Sequence, residues 1–575
     1  MNLLFLSVNL SVTLTETIMK HLNSRNSIVG LLCLLSFTLG GFVAGKADEE
    51  KITIALVEQA ERLLGLDFTS AEADSMLDNL NSQRKSFVEL RKINIPNSVS
   101  PALIFNPLPV NYIFPDRSNT FQVLSGPNMK LSENKQDMAF YTVHELASLL
   151  RTKQISSVEL TRFFIDRLKK YDPALQFIIT ITEERAMKQA RTADAEIAAG
   201  KYRGLLHGIP FGVKDLLATM DYKTTWGSVA FKDQMIDADA TVISRLENAG
   251  AVLIAKLSMG ELAMGDVWFG GKTKNPWDIT RGSSGSSAGS ASAVAAGCLP
   301  FAIGSETLGS IISPSTECGT TGLRPTFGRI SKYGAMALSW SMDKLGPITR
   351  SVEDCAIVFN AIQGPDGKDL SVISAPFSYT SPSGLNLKGI RIGYLKSEFE
   401  RKYANHSNDS ITLSKLIGMG AELVPLELPD LPYNEMRFIL SAEAGAAFEQ
   451  LVLSNRDDLL VRQNKSAWPN TFRSAHFIPA VEYIQANRLR TLLIEQLNVK
   501  MKEVDLFIAP AFGRNLLATN LSGHPCVVLP NGFRNGLPGS ITFTGKLFGE
   551  GKLLQVAQAY QKATDFNRKH PTLNF

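Results

Sequence analysis

Residues 281–292 read RGSSGSSAGSAS and residues 304–315 read GSETLGSIISPS, and how these two runs are understood decides the fold. Taken alone, the first run is as much a flexible Gly/Ser linker as a structured loop. Its flanks argue against the linker. Ala291 to Ala296 continues as good helix-forming sequence, and Leu299 to Ile303 is strand-like. A flexible linker would not be embedded between ordered elements in that way. The glycines instead mark backbone that approaches a ligand or takes a positive φ.

Working outward from there, apolar strand-like runs alternate with amphipathic helical ones from about Thr142 onward. Val143 to Lys169 reads as two helices, and Glu183 to Ala199 as another closed by Gly200. Ile209 to Val213 and Ala251 to Ala255 are short apolar runs suited to strands buried on both faces. The helix Thr241 to Asn248 precedes the second of them and is closed by Gly250. This is α/β organisation with a substantial core.

Beyond the two serine-rich runs, the chain carries Cys318-Gly-Thr-Thr-Gly-Leu-Arg-Pro-Thr-Phe-Gly-Arg329, Gly208-Ile-Pro-Phe-Gly-Val-Lys-Asp215 upstream and Ser341-Met-Asp-Lys-Leu-Gly-Pro347 downstream. Asp505-Leu-Phe-Ile-Ala-Pro510 and Ser522-Gly-His-Pro525 follow near the C-terminus. Jointly and in this order, these segments resemble the amidase signature family over roughly Thr142 to Tyr560. The resemblance implies a single large α/β/α domain with a central mixed sheet covered by helices, plus an N-terminal helical and extended arm. The expected organisation is a signal-like or anchor segment over 1–47, a helical and Pro-rich extension over 48–135, and the amidase signature domain over 136–575.

Register within the serine run needs care, because Ser283-Ser284 and Ser286-Ser287 both fit locally. The family's motif continues into an Ala-Val-Ala-Ala-Gly helix, here Ala293 to Gly297. Counting back from Val294 places the motif's first serine at Ser286, 24 residues before Ser310, as the family spaces them. By resemblance, Ser310 is then the nucleophile, Ser286, held by a non-proline cis peptide, relays the proton, and Lys214 is the base. Ser287 is a supporting residue. Backbone N–H groups of Thr307, Leu308, Gly309 and Ser310 would form the oxyanion hole.

The chemistry is coherent. A serine hydroxyl is a poor nucleophile until a neighbouring base takes its proton. A lysine can do so near neutral pH only where burial lowers its pKa, and the flanks of Lys214, Phe211 to Val213 and Leu216-Leu217, are apolar. In isolation each residue has a plainer reading: Lys214-Asp215 as a solvated surface pair, Ser286 and Ser310 as turn residues. The expected reaction is cleavage of a carboxylic amide C–N bond through a Ser310 acyl-enzyme, releasing ammonia or an amine. A glutaminase subunit of a tRNA-dependent amidotransferase shares the fold and stands as the alternative, and a catalytically silent binding protein on the same scaffold as one of another class.

Three positions depart from the commonest family pattern: Glu306 replaces an aspartate, Leu308 a glycine, and Ile312 an arginine two residues after the nucleophile. Glu306 is expected to find another partner, Arg324 or Arg329. Phe438, Glu443, Phe448 and Trp468 read equally as pocket lining or as core.

Composition narrows the partners. The 575 residues carry a formal charge of +4, with 44% hydrophobic and 20% charged residues. No basic stretch interleaves with aromatics, so a small-molecule amide is expected rather than nucleic acid. Cysteines 33, 298, 318, 355 and 526 form no CxxC pair, and the seven histidines are scattered. No metal or cofactor is expected. A Cys298–Cys318 bridge is the alternative to buried free thiols if the protein is exported.

Asn26 to Gly45 is uncharged and apolar, preceded by Lys20, His21 and Arg25. If translation begins at Met19, this is the layout of a secretory signal, and the protein would be exported to the periplasm or secreted. Its length also suits an uncleaved anchor with membrane contact through residues 26–45. From Lys46 to about Ser132 the chain reads as a helical extension, with a helix start at Thr69 and Glu72. The stretch from Ile95 to Pro115 contains Pro96, Pro101, Pro107, Pro109 and Pro115, a density that forbids a helix and predicts an extended arm over the main body.

Overall fold

The computed structural model describes residues 51–116, 118–124 and 129–575. The signal-like segment over 1–47 therefore lies outside the described residues. The chain divides into two compact units, Met1–Asn94 and Ile95–Phe575. The boundary falls inside the stretch read as one extension from 48 to 135, so its proline-rich part belongs to the larger unit.

In the first unit the described residues form two helices, Ile54–Leu64 and Ser70–Arg91. The second starts where the sequence places it. The Thr69 side chain accepts from the Glu72 N–H and Glu72 bonds back to the Thr69 N–H, a reciprocal cap.

In the second unit, prolines hold residues 95–115 out of helix, and the arm is fixed by contacts made one at a time. Tyr112 donates its hydroxyl to the Leu547 carbonyl at 2.6 Å. Phe105 and Phe114 meet Phe327 and Phe548 edge-on, with ring centroids 5.0 and 5.3 Å apart. A short strand, Thr120–Gln122, then pairs parallel with Ser378–Thr380.

The body is built on an eleven-stranded mixed sheet. Its strands in chain order are β1 Ile178–Ile181, β2 Pro210–Lys214, β3 Val252–Leu257, β4 Phe301–Glu306, β5 Thr321–Arg324, β6 Lys344–Thr349, β7 Arg391–Leu395, β8 Glu422–Leu426, β9 Leu506–Pro510, β10 Cys526–Arg534 and β11 Leu537–Gly545. Across the sheet they run β8-β7-β9-β11-β10-β5-β6-β4-β2-β3-β1. Every residue of β2, β3, β4 and β6 is buried. Since successive side chains point to opposite faces, both faces are covered there, which is why β2 and β3 read as short apolar runs.

β2 lies parallel to β4, with Phe211, Gly212 and Val213 opposite Phe301, Ala302 and Ile303, whereas β6 is antiparallel to β4. The carboxyl ends of β2 and β4 thus emerge side by side where the direction of pairing changes. Open α/β sheets place their ligands at such points.

Candidate active site

Lys214 ends β2, and Ser305 and Glu306 end β4. Between those strands in sequence, residues 283–287 lead into the helix Ala288–Ala295, all of whose residues are buried. The Lys214 ammonium nitrogen lies 2.7 Å from Ser286 Oγ and 2.8 Å from Ser305 Oγ. Lys214 is fully buried, Ser286 is 1% exposed and Ser310 is 8% exposed. The peptide between Gly285 and Ser286 is cis. Gly285 is required sterically, since a Cβ there would sit 1.8 Å from the Gly265 carbonyl oxygen.

Burial lowers the Lys214 pKa to about 7, against a partial upward pull from the Asp343 and Glu306 charges. The surface-pair reading of Lys214-Asp215 therefore does not hold. Asp215 is also fully buried and faces another way. Its carboxylate is paired with Lys256 at 2.9 Å and accepts from the Thr225 N–H and hydroxyl. The ammonium nitrogen of Lys214 is left to the serines.

Ser310 joins this cluster through its backbone. The Ser287 N–H donates to the Ser310 carbonyl at 3.2 Å, while the Ser287 hydroxyl donates to the Ser305 carbonyl at 3.0 Å and accepts from the Ser305 N–H at 3.1 Å. Ser287 thus pins β4 and the loop carrying Ser310 to the loop carrying Ser286.

The segment Thr307 to Ser310 is held at both ends. Thr307 donates its hydroxyl to Asp343 Oδ1 at 2.5 Å. At the far end one oxygen of Glu306 accepts the N–H groups of Ile311 and Ile312, at 2.8 and 3.0 Å. Gly309 sits at φ +86°, a conformation that L side chains rarely adopt. Backbone donors fixed in this way need no reorganisation when charge develops on a substrate oxygen.

Glu306 does find Arg324. Its other oxygen accepts from Arg324 Nη1 at 2.8 Å and from the Asn520 amide at 2.9 Å, all three residues being fully buried. Burial pushes the Glu306 carboxyl up, but the Arg324 charge and hydrogen bond, the Ile312 N–H and Lys344 outweigh it and hold the pKa at about 2. Arg329 is committed elsewhere, to Glu550 and to the carbonyls of Ala375 and Pro376. Ile312 packs with Ala511, Cys526 and Val528, so the charge that balances the carboxylate comes from Arg324 in β5 rather than from two residues past Ser310. Replacing Glu306 by glutamine would leave Arg324 buried without its counter-ion, a change that costs about 3–5 kcal/mol. Urea unfolding of Glu306→Gln is expected to show that loss; a variant within about 1 kcal/mol of wild type would show that the pair does not hold the loop.

The four residues left between pocket and core belong to the core side. Phe448 and Trp468 both stack on Phe472, and Phe438 packs against a second apolar cluster. Glu443 is buried and accepts from the Ser339 hydroxyl, from the N–H and hydroxyl of Ser341 and from the Tyr483 hydroxyl. It thereby organises the turn that carries Asp343. Cys298, Cys318, Cys355 and Cys526 are buried free thiols, and Cys33 lies outside the described residues.

Ser305 is the contact that sequence reasoning missed. It lies inside a quoted run, but only the parallel pairing of β2 with β4 brings it to Lys214.

With this geometry established, comparison with known proteins is informative. The family model described as Amidase matches residues 159–517. A glutamyl-tRNA(Gln) amidotransferase subunit from Coxiella burnetii is 35% identical over 480 residues, covering 75% of this chain and 99% of that protein. Its namesake from Moorella thermoacetica is 35% identical over 486 residues, covering 76% and 99%. Among solved structures, native peptide amidase from Stenotrophomonas maltophilia is similar with a TM-score of 0.68 and 29% identity, covering 77% of this chain and 99% of that one. An amidase family protein from Bacillus anthracis also gives 0.68, with 28% identity and 76% and 93% coverage.

Proposed function

The chain belongs to the amidase signature family, and from that premise we infer that it hydrolyses carboxylic amides through an acyl-enzyme on Ser310, releasing ammonia or an amine. As a serine amidohydrolase it needs a base that is neutral near pH 7. The observation that carries the reading is Lys214: buried, lowered to about 7, and hydrogen-bonded to Ser286.

In the proposed cycle, neutral Lys214 takes the Ser286 proton as Ser286 takes that of Ser310, whose oxygen attacks the carbonyl carbon. The N–H groups of Thr307 to Ser310 receive the oxyanion. The proton returns through Ser286 to the leaving nitrogen, the C–N bond breaks, and water repeats the sequence on the ester. Asp343, Glu306 and Ser287 act as positioning residues, setting where the nucleophile loop stands.

A second reading has a specific observation behind it. The relatives named as amidotransferase subunits match over nearly their whole length, which supports a glutaminase working within an assembly. Export through the N-terminal segment would oppose that reading, because tRNA work is cytoplasmic; exported or membrane-anchored localisation remains our proposal from residues 20–45. Ammonia and amine release from a panel of primary, secondary and peptide C-terminal amides, with glutamine included, separates the two. The stand-alone reading expects turnover of non-glutamine amides by the isolated chain. Activity on glutamine only, and only after a tRNA-binding partner is added, would establish the amidotransferase reading instead.

A further inference from the structure

Beside the catalytic cluster lies a cavity of about 320 Å³, within the size range of small-molecule sites. Ser305, Thr307 and Asp343 are among its lining residues, and Ser305 also touches Lys214. Leu216, Ile236, Met336, Leu338, Trp340 and Leu345 make most of its lining apolar, Lys332, Lys368 and Asp369 add a charged part, and Asn97, Ser98 and Ser100 complete it. The last three come from the proline-rich arm, which precedes the residues matched by the family model. The amidotransferase relatives cover 75% of this chain while using 99% of their own length, so a quarter of this chain has no counterpart in them.

The arm is seated there by specific bonds. Asn97 accepts the Ala337 N–H at 2.8 Å and donates to the Ala337 carbonyl at 2.9 Å and the Ala447 carbonyl at 3.3 Å. This reciprocal pairing imitates one rung of a β-ladder. It fixes Asn97 against Ala337, whose neighbours Met336 and Leu338 belong to the apolar lining. Pro96 restricts the backbone just before it.

We propose that residues 95–100 form a specificity wall of the acyl-binding pocket, with Asn97 as the specificity-determining residue that seats it, and that the pocket takes an apolar acyl group. Ser305 and Thr307 tie the cavity to the catalytic cluster, where the scissile carbonyl would stand, and the lining is predominantly apolar, as a hydrocarbon chain requires. The wall is built from residues that precede those matched by the family model. Each acyl methylene buried against it should raise kcat/KM about fourfold, the equivalent of about 0.8 kcal/mol. The inference rests on the amidase reading, and its test fails separately from it.

The experiment measures kcat and KM of the full chain for straight-chain primary amides from acetamide to octanamide. In Asn97→Ala the ratio of hexanamide to acetamide kcat/KM is expected to fall by about tenfold, mainly through KM. A second variant, Ser98→Trp, fills the pocket from the arm side without touching the Asn97 bonds. It should lower octanamide turnover far more than acetamide turnover. A merely structural arm would lower all amides alike and leave the slope with chain length intact, and that result in both variants would overturn the proposal. Absence of any chain-length slope in wild type would overturn it as well. Amide hydrolysis that survives Ser310→Ala would instead overturn the reading on which it rests.

Discussion

Ser310→Ala is expected to reduce amide hydrolysis by about 10⁵-fold, because the variant retains the proton relay and the backbone donors but has no oxygen to carry the acyl group. Two measurements check this together. Initial rates of ammonia release give the magnitude, and intact mass after exposure to a serine-directed acylating probe gives the site. Wild type should gain one acyl increment, and Ser310→Ala none. Folding is not expected to suffer, since Ser310 is bound into the structure through its carbonyl, which accepts from Ser287, and alanine keeps that carbonyl. A variant that remained active, or one still acylated at a single site, would move the nucleophile elsewhere in the serine-rich runs.

Lys214→Met has the second-largest expected effect, a fall of about 10³–10⁴ in kcat/KM at pH 8. The pH dependence distinguishes a base from a structural cation. With its pKa lowered to about 7 by burial, Lys214 is protonated below that pH and cannot accept from Ser286. Wild-type kcat/KM should therefore rise tenfold per pH unit up to about 7 and then level off. The variant should lose this limb. Stability carries the same signature with a definite sign. The folded pKa of about 7 lies below the ordinary 10.5, so the unfolded chain binds the extra proton between those values. Stability consequently rises with pH across that window. Methionine removes this dependence, so its thermal stability relative to wild type should be higher at pH 7 than at pH 10. An acidic limb retained in the variant would assign it to another group.

The residues of the site differ in how far their neighbours in sequence reveal them. Ser286 and Ser310 are legible through the resemblance, because their glycine-rich loops and their 24-residue separation match the family's motifs. Lys214 is legible only through the family segment Gly208 to Asp215, since Lys214-Asp215 alone reads as a solvated surface pair. Ser305 is not, since its meeting with Lys214 depends on strand register, and a serine at the end of a buried strand has no local signature. Glu443 and Asp343 are obscured in the same way. Glu443 reads equally as pocket lining or core and Asp343 carries no role within its segment until packing brings Ser339, Ser341 and Thr307 to them.

The arm shows the division most clearly. Its prolines dictate an extended conformation whatever surrounds them, because the fixed φ and the missing N–H act within the residue itself. That Asn97 meets Ala337, some 240 residues later, is not encoded near either residue. Local covalent geometry thus predicted the α/β alternation and the extended arm, and the resemblance carried by the motifs supplied the three candidate reacting side chains. The tertiary structure decided what buries Lys214, which cation balances Glu306, and which wall faces the pocket. Desolvation and long-range pairing are properties of the folded environment, and no window of sequence contains that environment.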